Sequence, residues 1–446
     1  MKHRGRHRRR RRGRALRACL TGTALALTAA ATMISASQAT VTDDPGPLTR
    51  LASTAELEQL QLAEEPEARA GLDRLAAAMG RPVGVAEVLA GADHTLRTAD
   101  ACPADDRRSL PTAPAATRAY CFGAADTRSW RPGAVALPGD RADGRWDGRR
   151  VLVSAWSRPR SAEDGPAGGT SGGTDAASSA APSGGAGPAR VAFIDAADPD
   201  RLAYTWALLA VPVDGGRDYR ALSSPVAGMV WYGDKLLVTA GGRDDRALYV
   251  YDVDRVQRAD VDSTAVGRVP GGWSAGGARF VLPAVGAYRL TGDARIGSIA
   301  LDRTTSPDSL VASEAVPEGS RRPTRLWRYS LSLDPARAGL PSVDPRGRAV
   351  PDAAYETKVT EVRGVLARGP VWYVTGAAEN ADGHGMLWRL EDGGGTSARC
   401  GPDDTRQCWS APAGSLTLAE GTGAVWSQSG RMLFSQGLNA IDSSQG

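Results

Sequence analysis

The stretch GMVWYGDKLLVTAGGRDDRALYVYDVD, residues 228–254, limits the possible folds more than any other, because it reads as three consecutive strands and returns in altered form along the chain. Residues 229–232 form an apolar run, and Gly233-Asp234 supplies a two-residue turn in which glycine accepts the positive φ of a hairpin. Residues 235–239 then pair back. Beyond a loop of Gly and Asp, Leu248-Tyr249-Val250-Tyr251 makes a third run. Short runs rich in aromatic and β-branched side chains do not make packed helices and suit a small antiparallel sheet.

The phrase recurs as VRGVLARGPVWYVTGA and then MLWRLE from Val362, and as IGSIALD, PDSLVASEA and RLWRYSLS from Ile296. Upstream, RRVLVSAW at residues 149–156 is completed by RVAFID at 190–195, and a last copy, LTLAEGTGAVWSQSGRMLFSQ, starts at Leu416. A hairpin with one outer strand cannot bury its own apolar face, so such units must pack on one another. The expectation is an all-β chain whose residues 139–446 form a β-propeller of about five blades, five to seven, with a β-sandwich or an open solenoid as rivals. Six blades would follow if residues 135–137 paired with the C-terminal strand to close the ring.

Residues 1–39 hold no acid, carry Lys2 and nine arginines up to Arg17, continue without charge from Ala18 to Ile34, and end in Ser37-Gln38-Ala39. This is the pattern of a signal peptide with small residues at its cleavage site, and an uncleaved anchor is the rival. The apolar run is thin in Leu, so no stable membrane span is expected after removal. Arg11-Arg12 precedes Gly13-Arg14 rather than apolar residues, so a Sec or a twin-arginine route stays open. The whole chain is formally +4, but removing the ten Lys and Arg of residues 1–39 leaves 44 basic against 50 acidic residues, a formal −6. No basic stripe with interleaved aromatics remains, which argues against nucleic acid as a partner.

Residues 40–138 read as a helical and disulfide-pinned region, a cap or strap on the propeller or an exposed leader. Ser53 with Glu56 makes a capping box, Leu57 and Leu60 begin an apolar face, and Leu72, Leu75 and Met79 lead to a stop at Gly80. Residues 158–189 are Gly, Ser, Ala and Pro with little apolar bulk, the composition of a disordered insert. Within them, the G-x-S-x-G at 169–173 lacks the strand and helix that a nucleophile elbow needs. Cys19 falls in the signal, leaving Cys102, Cys121, Cys400 and Cys408. In an exported chain these favour two disulfides, and pairing Cys102 with Cys121 and Cys400 with Cys408 closes the shortest loops. A four-thiolate zinc site is the rival, but no pair has the short spacing such sites use.

Candidate chemistry is sparse. Only His94 and His384 remain after the signal, so a multi-histidine metal site is excluded and no metal or cofactor is expected. Asp105-Asp106, Asp244-Asp245 and Asp403-Asp404 are adjacent loop residues of the kind that form solvated turns, and no twelve-residue calcium loop follows Asp252 or Asp260. For hydrolysis by paired carboxylates, Asp302, Asp308 and Glu314 near one blade's strand ends are the first candidates; otherwise Asp302 and Asp308 cap turns and pair with Arg303. Trp231, Tyr232, Trp372, Tyr373 and Trp426 occupy like positions in the repeats, as wedge-filling core or as a binding platform at the propeller mouth.

The run GMVWYGDKLLVTA, then LYVYDVDRV, FVLPAVGAYR and SIALDRTTSPDSLVASE, resembles a family of actinobacterial secreted proteins of unknown function with propeller-like repeats. The resemblance covers about residues 191–391, and LDRTTSPDSL at 301–310 is its most specific part. Family members carry His-Ala-Gly-Gly before the Trp-Tyr, where this chain has Val226-Ala227-Gly228-Met229, so no histidine role carries over. The resemblance implies a propeller and an extracellular or cell-envelope address, without an activity. The functional expectation is a binding or scaffolding module outside the membrane, its partner an extracellular protein or a saccharide; the alternative is a propeller hydrolase or lyase acting on carbohydrate.

Overall fold

The computed structural model describes residues 45–141, 144–159, 186–241, 247–320, 322–378 and 383–445. The signal, the G-x-S-x-G stretch, Asp244-Asp245 and most of the expected insert lie outside the described residues. The insert's borders do not: Arg149–Pro159 and Ala186–Asp195 are strands, and Pro159 faces Ala186 in register.

The hairpin at the heart of the repeat forms as its residues require. Gly233 takes φ +56° in the turn between Met229–Tyr232 and Lys235–Thr239, with Tyr232 opposite Lys235 and Met229 opposite Val238. Gly369 and Gly430 take the same left-handed conformation in the turns after Val362–Arg368 and Ala424–Ser429. A Cβ there would be strained, which is why glycine opens each turn.

The Gly233 and Gly369 hairpins are the inner halves of four-stranded antiparallel meanders, while Gly430 joins the second and third strands of another. The first runs Arg131–Ala136, Arg149–Pro159, Ala186–Asp195, Ala203–Val213. The second runs Met229–Tyr232, Lys235–Thr239, Leu248–Asp252, Phe280–Leu290. The third runs Ile296–Asp302, Ser309–Glu314, Thr324–Ser330, Ala353–Thr357, with Thr49–Leu51 added at its edge. The fourth runs Val362–Arg368, Val371–Gly376, Met386–Glu391, Gly394–Ser397. The last joins Thr417–Ala419, Ala424–Ser429 and Met432–Gly437 to Arg118–Cys121 and Arg97–Thr98. The first and second meanders fuse at their outer edges, where Ala207–Ala210 pairs in parallel with residues 280–283.

The core is divided into slices between consecutive meanders, and strand alternation fills both sides of each sheet. Trp231 and Leu236 point into the slice shared with the first meander, whereas Val230 and Leu237 point into the slice shared with the third. Val153 likewise faces the second meander and Leu152 the last. Sheets covered on both faces, with first strands gathered at the centre, give a mostly β, propeller-like architecture. The central strands come so close that side chains are excluded: a Cβ on Gly133 would lie 2.2 Å from the Val226 carbonyl oxygen, and one on Gly228 2.4 Å from the Ile299 nitrogen.

Residues 45–138 do not form a separate cap. The capping box of Ser53 and Glu56 is present, but its helix, Thr54–Glu58, stops early, and Leu62–Pro66 is a strand beside residues 286–290. The reason is spacing: Leu60 and Leu62 are both fully buried, and two residues apart they meet one core from an extended chain, not from a helix. The second helix, Arg69–Met79, ends at Gly80 as expected. Nor does the run 135–137 pair with the C-terminal strand. It ends the first strand of the first meander, and Arg118–Cys121 closes onto residues 432–435. Disulfides join Cys102 to Cys121, within that closing segment, and Cys400 to Cys408. No helix among the described residues is long and apolar enough to cross a membrane.

Candidate functional site

Of the three candidate carboxylates, Glu314 stands apart from Asp302 and Asp308. Asp302 and Ser309 face each other at one end of a hairpin and Ile296 and Glu314 at the other, roughly 17 Å apart at the rise of a strand. A hydrolytic pair needs about 5 to 9.5 Å. Asp302 is fully buried and saturated: it accepts from the Thr304 amide at 2.9 Å, the Thr304 hydroxyl at 2.6 Å, the Gly369 amide at 3.1 Å and Arg328 Nη1 at 3.1 Å. It clamps the third meander to the fourth. Glu314, also buried, accepts both fork nitrogens of Arg325 at 2.8 Å and Arg322 Nη2 at 2.9 Å. Asp308 takes the Tyr232 hydroxyl at 3.0 Å, with Arg303 Nε 3.6 Å away. Each carboxylate is committed to a partner within the chain.

The repeated aromatics are core rather than platform. Trp231, Trp372 and Tyr373 are buried; Trp231 donates to the Gly233 carbonyl at 2.8 Å, and the Tyr373 hydroxyl donates to Asp442 at 2.7 Å. Tyr232 is half-buried with its hydroxyl on Asp308. Burial leaves Trp231, Trp372 and Tyr373 without a free ring face at a mouth. His384 Nδ1 rests on the Trp409 carbonyl, and His94 stacks on Tyr204 with Nδ1 3.3 Å from Asp126. Among the described residues no group of three His, Cys, Asp or Glu is arranged to hold a metal ion.

Trp426 differs. Half-buried, it lines a cleft of about 360 Å³ in the seam between the first and last meanders, a volume within the range of about 300 to 1,000 Å³ typical of small-molecule sites. Leu137, Leu152, Leu202 and Ala419 form apolar walls, and no carboxylate lines it among the described residues. Arg118 and Arg150, both exposed, stand at its rim. Tyr120 forms part of the wall and donates from its hydroxyl to the Pro199 carbonyl at 2.9 Å. Burial pushes the Tyr120 phenol up, with Arg118 opposing and Asp200 adding to the rise, so it stays protonated at neutral pH. The cleft exists because the paired residues at its mouth, Ala419 and Ala424, are small where other repeats carry larger side chains. Those two alanines beside the Trp of the last repeat were the available sequence signal. Leu152 across the seam and Tyr120 on the far side of the same sheet come from strands that no local pattern brings together.

No family model matches the chain, and no curated protein sequence matches it. Among solved structures, the hydrazine synthase of Kuenenia stuttgartiensis is similar at 11% identity and a TM-score of 0.31, over 66% of this chain and 73% of that one. Drosophila plexin A in complex with semaphorin 1b is similar at 8% identity and 0.28, over 74% and 88%. Sqt1 from Chaetomium thermophilum is similar at 13% identity and 0.26, over 68% and 67%. Scores this low do not establish a shared fold, and the architecture rests on the strand order.

Proposed function

We propose that the chain is an exported binding module built as a five-bladed propeller, and that the seam cleft takes a small amphiphile with an apolar body and one anionic group. Counting each meander as one blade gives five, with the N-terminal strand Arg118–Cys121 completing the last. Two disulfides and the signal-like residues 1–39 support an extracellular or cell-envelope address. The observation that carries the ligand class is the cleft itself, apolar on its walls and edged by two cations, with no lining acid among the described residues. Apolar walls supply affinity through buried area, and the guanidinium groups select the sign of the head group. A carbohydrate hydrolase is disfavoured because Asp302 and Glu314 are buried at opposite ends of one hairpin and all three carboxylates are engaged by partners within the chain. The test is calorimetric titration with decanoate and with decyltrimethylammonium. The reading expects saturable decanoate binding that Ala419→Phe abolishes and Arg150→Gln weakens about two- to fivefold. Equal binding of the cationic amphiphile, or decanoate binding unaffected by Ala419→Phe, would refute it.

A further inference from the structure

The same seam opens at its other end into a second cleft of very different character. Leu152 lines the first cleft and Trp156, four residues on along the same strand and roughly 13 Å away, lines the second. This second cleft, of about 350 Å³, is bounded by Arg128, Trp130, Arg131, Trp156 and Arg431. Two further guanidinium groups approach it through Trp130: that of Arg190 lies 3.9 Å and that of Arg158 5.9 Å from the ring centre. Arg190 is held between Trp130 and Trp206, the latter at 3.6 Å.

These cations are short of acceptors. Arg431 gives Nε and Nη2 to Asp106 at 3.2 and 2.6 Å, but its Nη1 is buried without a hydrogen-bond partner among the described residues. Arg158 Nε and Arg190 Nε are buried and unpartnered in the same sense. Arg190 Nη2 reaches the Asp126 carbonyl at 2.5 Å, while the Asp126 carboxylate is engaged by the Tyr204 hydroxyl at 2.6 Å. Burial lowers Arg190 to about 9 in spite of nearby Asp126, as expected of a guanidinium with too little counter-charge. A buried N–H left unmade costs about 1 to 3 kcal/mol, and that of Arg431 Nη1, on the wall of the cleft, is a standing cost that a bound anion would remove.

We propose that this end of the seam is an oxyanion-binding site, in which a phosphate, sulfate or carboxylate group accepts from Arg431 Nη1 and is held by the field of Arg128, Arg131, Arg158 and Arg190. The indole walls keep water from screening the charge, and planar guanidinium groups suit the paired oxygens of such ligands. The site is independent of the amphiphile cleft.

The experiment is titration of the whole chain at low ionic strength with sodium sulfate, sodium phosphate and sodium D-glucuronate, with sodium chloride as the control. Saturable one-site binding of at least one oxyanion is expected. Preference for sulfate or phosphate identifies a tetrahedral ligand, and preference for glucuronate a carboxylate such as an acidic sugar carries. Arg431→Gln should abolish binding. Because it also strips Asp106 of its partner, the exposed pair Arg128→Gln/Arg131→Gln provides a second test and should weaken binding about two- to fivefold per charge removed. Ala419→Phe must leave oxyanion binding intact. Absence of saturable binding by all three anions, an unchanged affinity in the folded double variant, or loss of binding in Ala419→Phe would each overturn the proposal.

Discussion

Replacing Cys102 and Cys121 together by serine should loosen the ring at one place. Cys121 lies in the strand that completes the last sheet, opposite Met432, and its bridge spans a separation of 19 residues. Chain entropy for a loop of that length is worth about 3 kcal/mol, equivalent to more than a hundredfold in the opening equilibrium. Besides the bridge, the segment is held by four paired residues against the C-terminal strand, a two-residue partner at Arg97–Thr98, the Arg431 to Asp106 ion pair, the Tyr120 hydroxyl on Pro199, and backbone bonds from Thr117 to Ser435 and from Phe122 to Arg431. The control is Cys400→Ser/Cys408→Ser, whose separation of 8 residues is worth about 2.5 kcal/mol. The two variants are thus nearly matched in global cost and differ in location. Amide exchange followed by mass spectrometry should show residues 118–121 and 432–435 losing protection in the first variant while residues 229–239 keep theirs. If both double variants exposed the closing segment equally, or if neither did, the reasoning that a disulfide-pinned N-terminal strand closes the ring would be wrong.

Further outcomes follow from the packing. Gly228→Ala should cost about 1 to 3 kcal/mol in urea unfolding, because its Cβ would meet the backbone of Ile299 at 2.4 Å; a neutral result would mean the inner strands are not so closely apposed. Glu314→Gln removes the charge that the half-buried Arg325 fork pairs with and should cost about 1.5 to 3 kcal/mol, whereas a role in turnover would show as lost activity at unchanged stability. The Tyr373 phenol is pushed up to about 12, by burial first and then by its bond to Asp442. Its folded value lies above its unfolded value, so its contribution is full below pH 10 and fades as pH rises toward 12. Tyr373→Phe should therefore flatten the fall of unfolding free energy between pH 10 and 12, and an unchanged slope would contradict this assignment.

What could be read from the residues is what is encoded locally. The turn at Gly233, the strand at Leu248–Asp252, the capping box at Ser53 and the stop at Gly80 each depend on neighbours within a few positions. The short-loop cysteine pairing has the same origin. Pairing at long range left no such mark. Phe280–Leu290 serves two meanders at once, parallel to Ala203–Val213 along one half and antiparallel to Leu248–Asp252 along the other, and its sequence shows only one long apolar run. Leu62–Pro66 and Arg118–Cys121 find partners more than two hundred residues away. The candidate site was obscure for a related reason. Aromatic position in the repeat pointed to Trp231 and Trp372, which neighbouring sheets cover, whereas Trp426 lines an opening because small alanines stand beside it at the seam.

The account turns on the seam cleft, and the direct measurement is a crystal structure of the chain grown with saturating decanoate. It should show an alkyl chain between Trp426 and Tyr120, along Leu152 and Leu202, with the carboxylate at Arg118 or Arg150. A cleft left empty at saturation would contradict the proposed function.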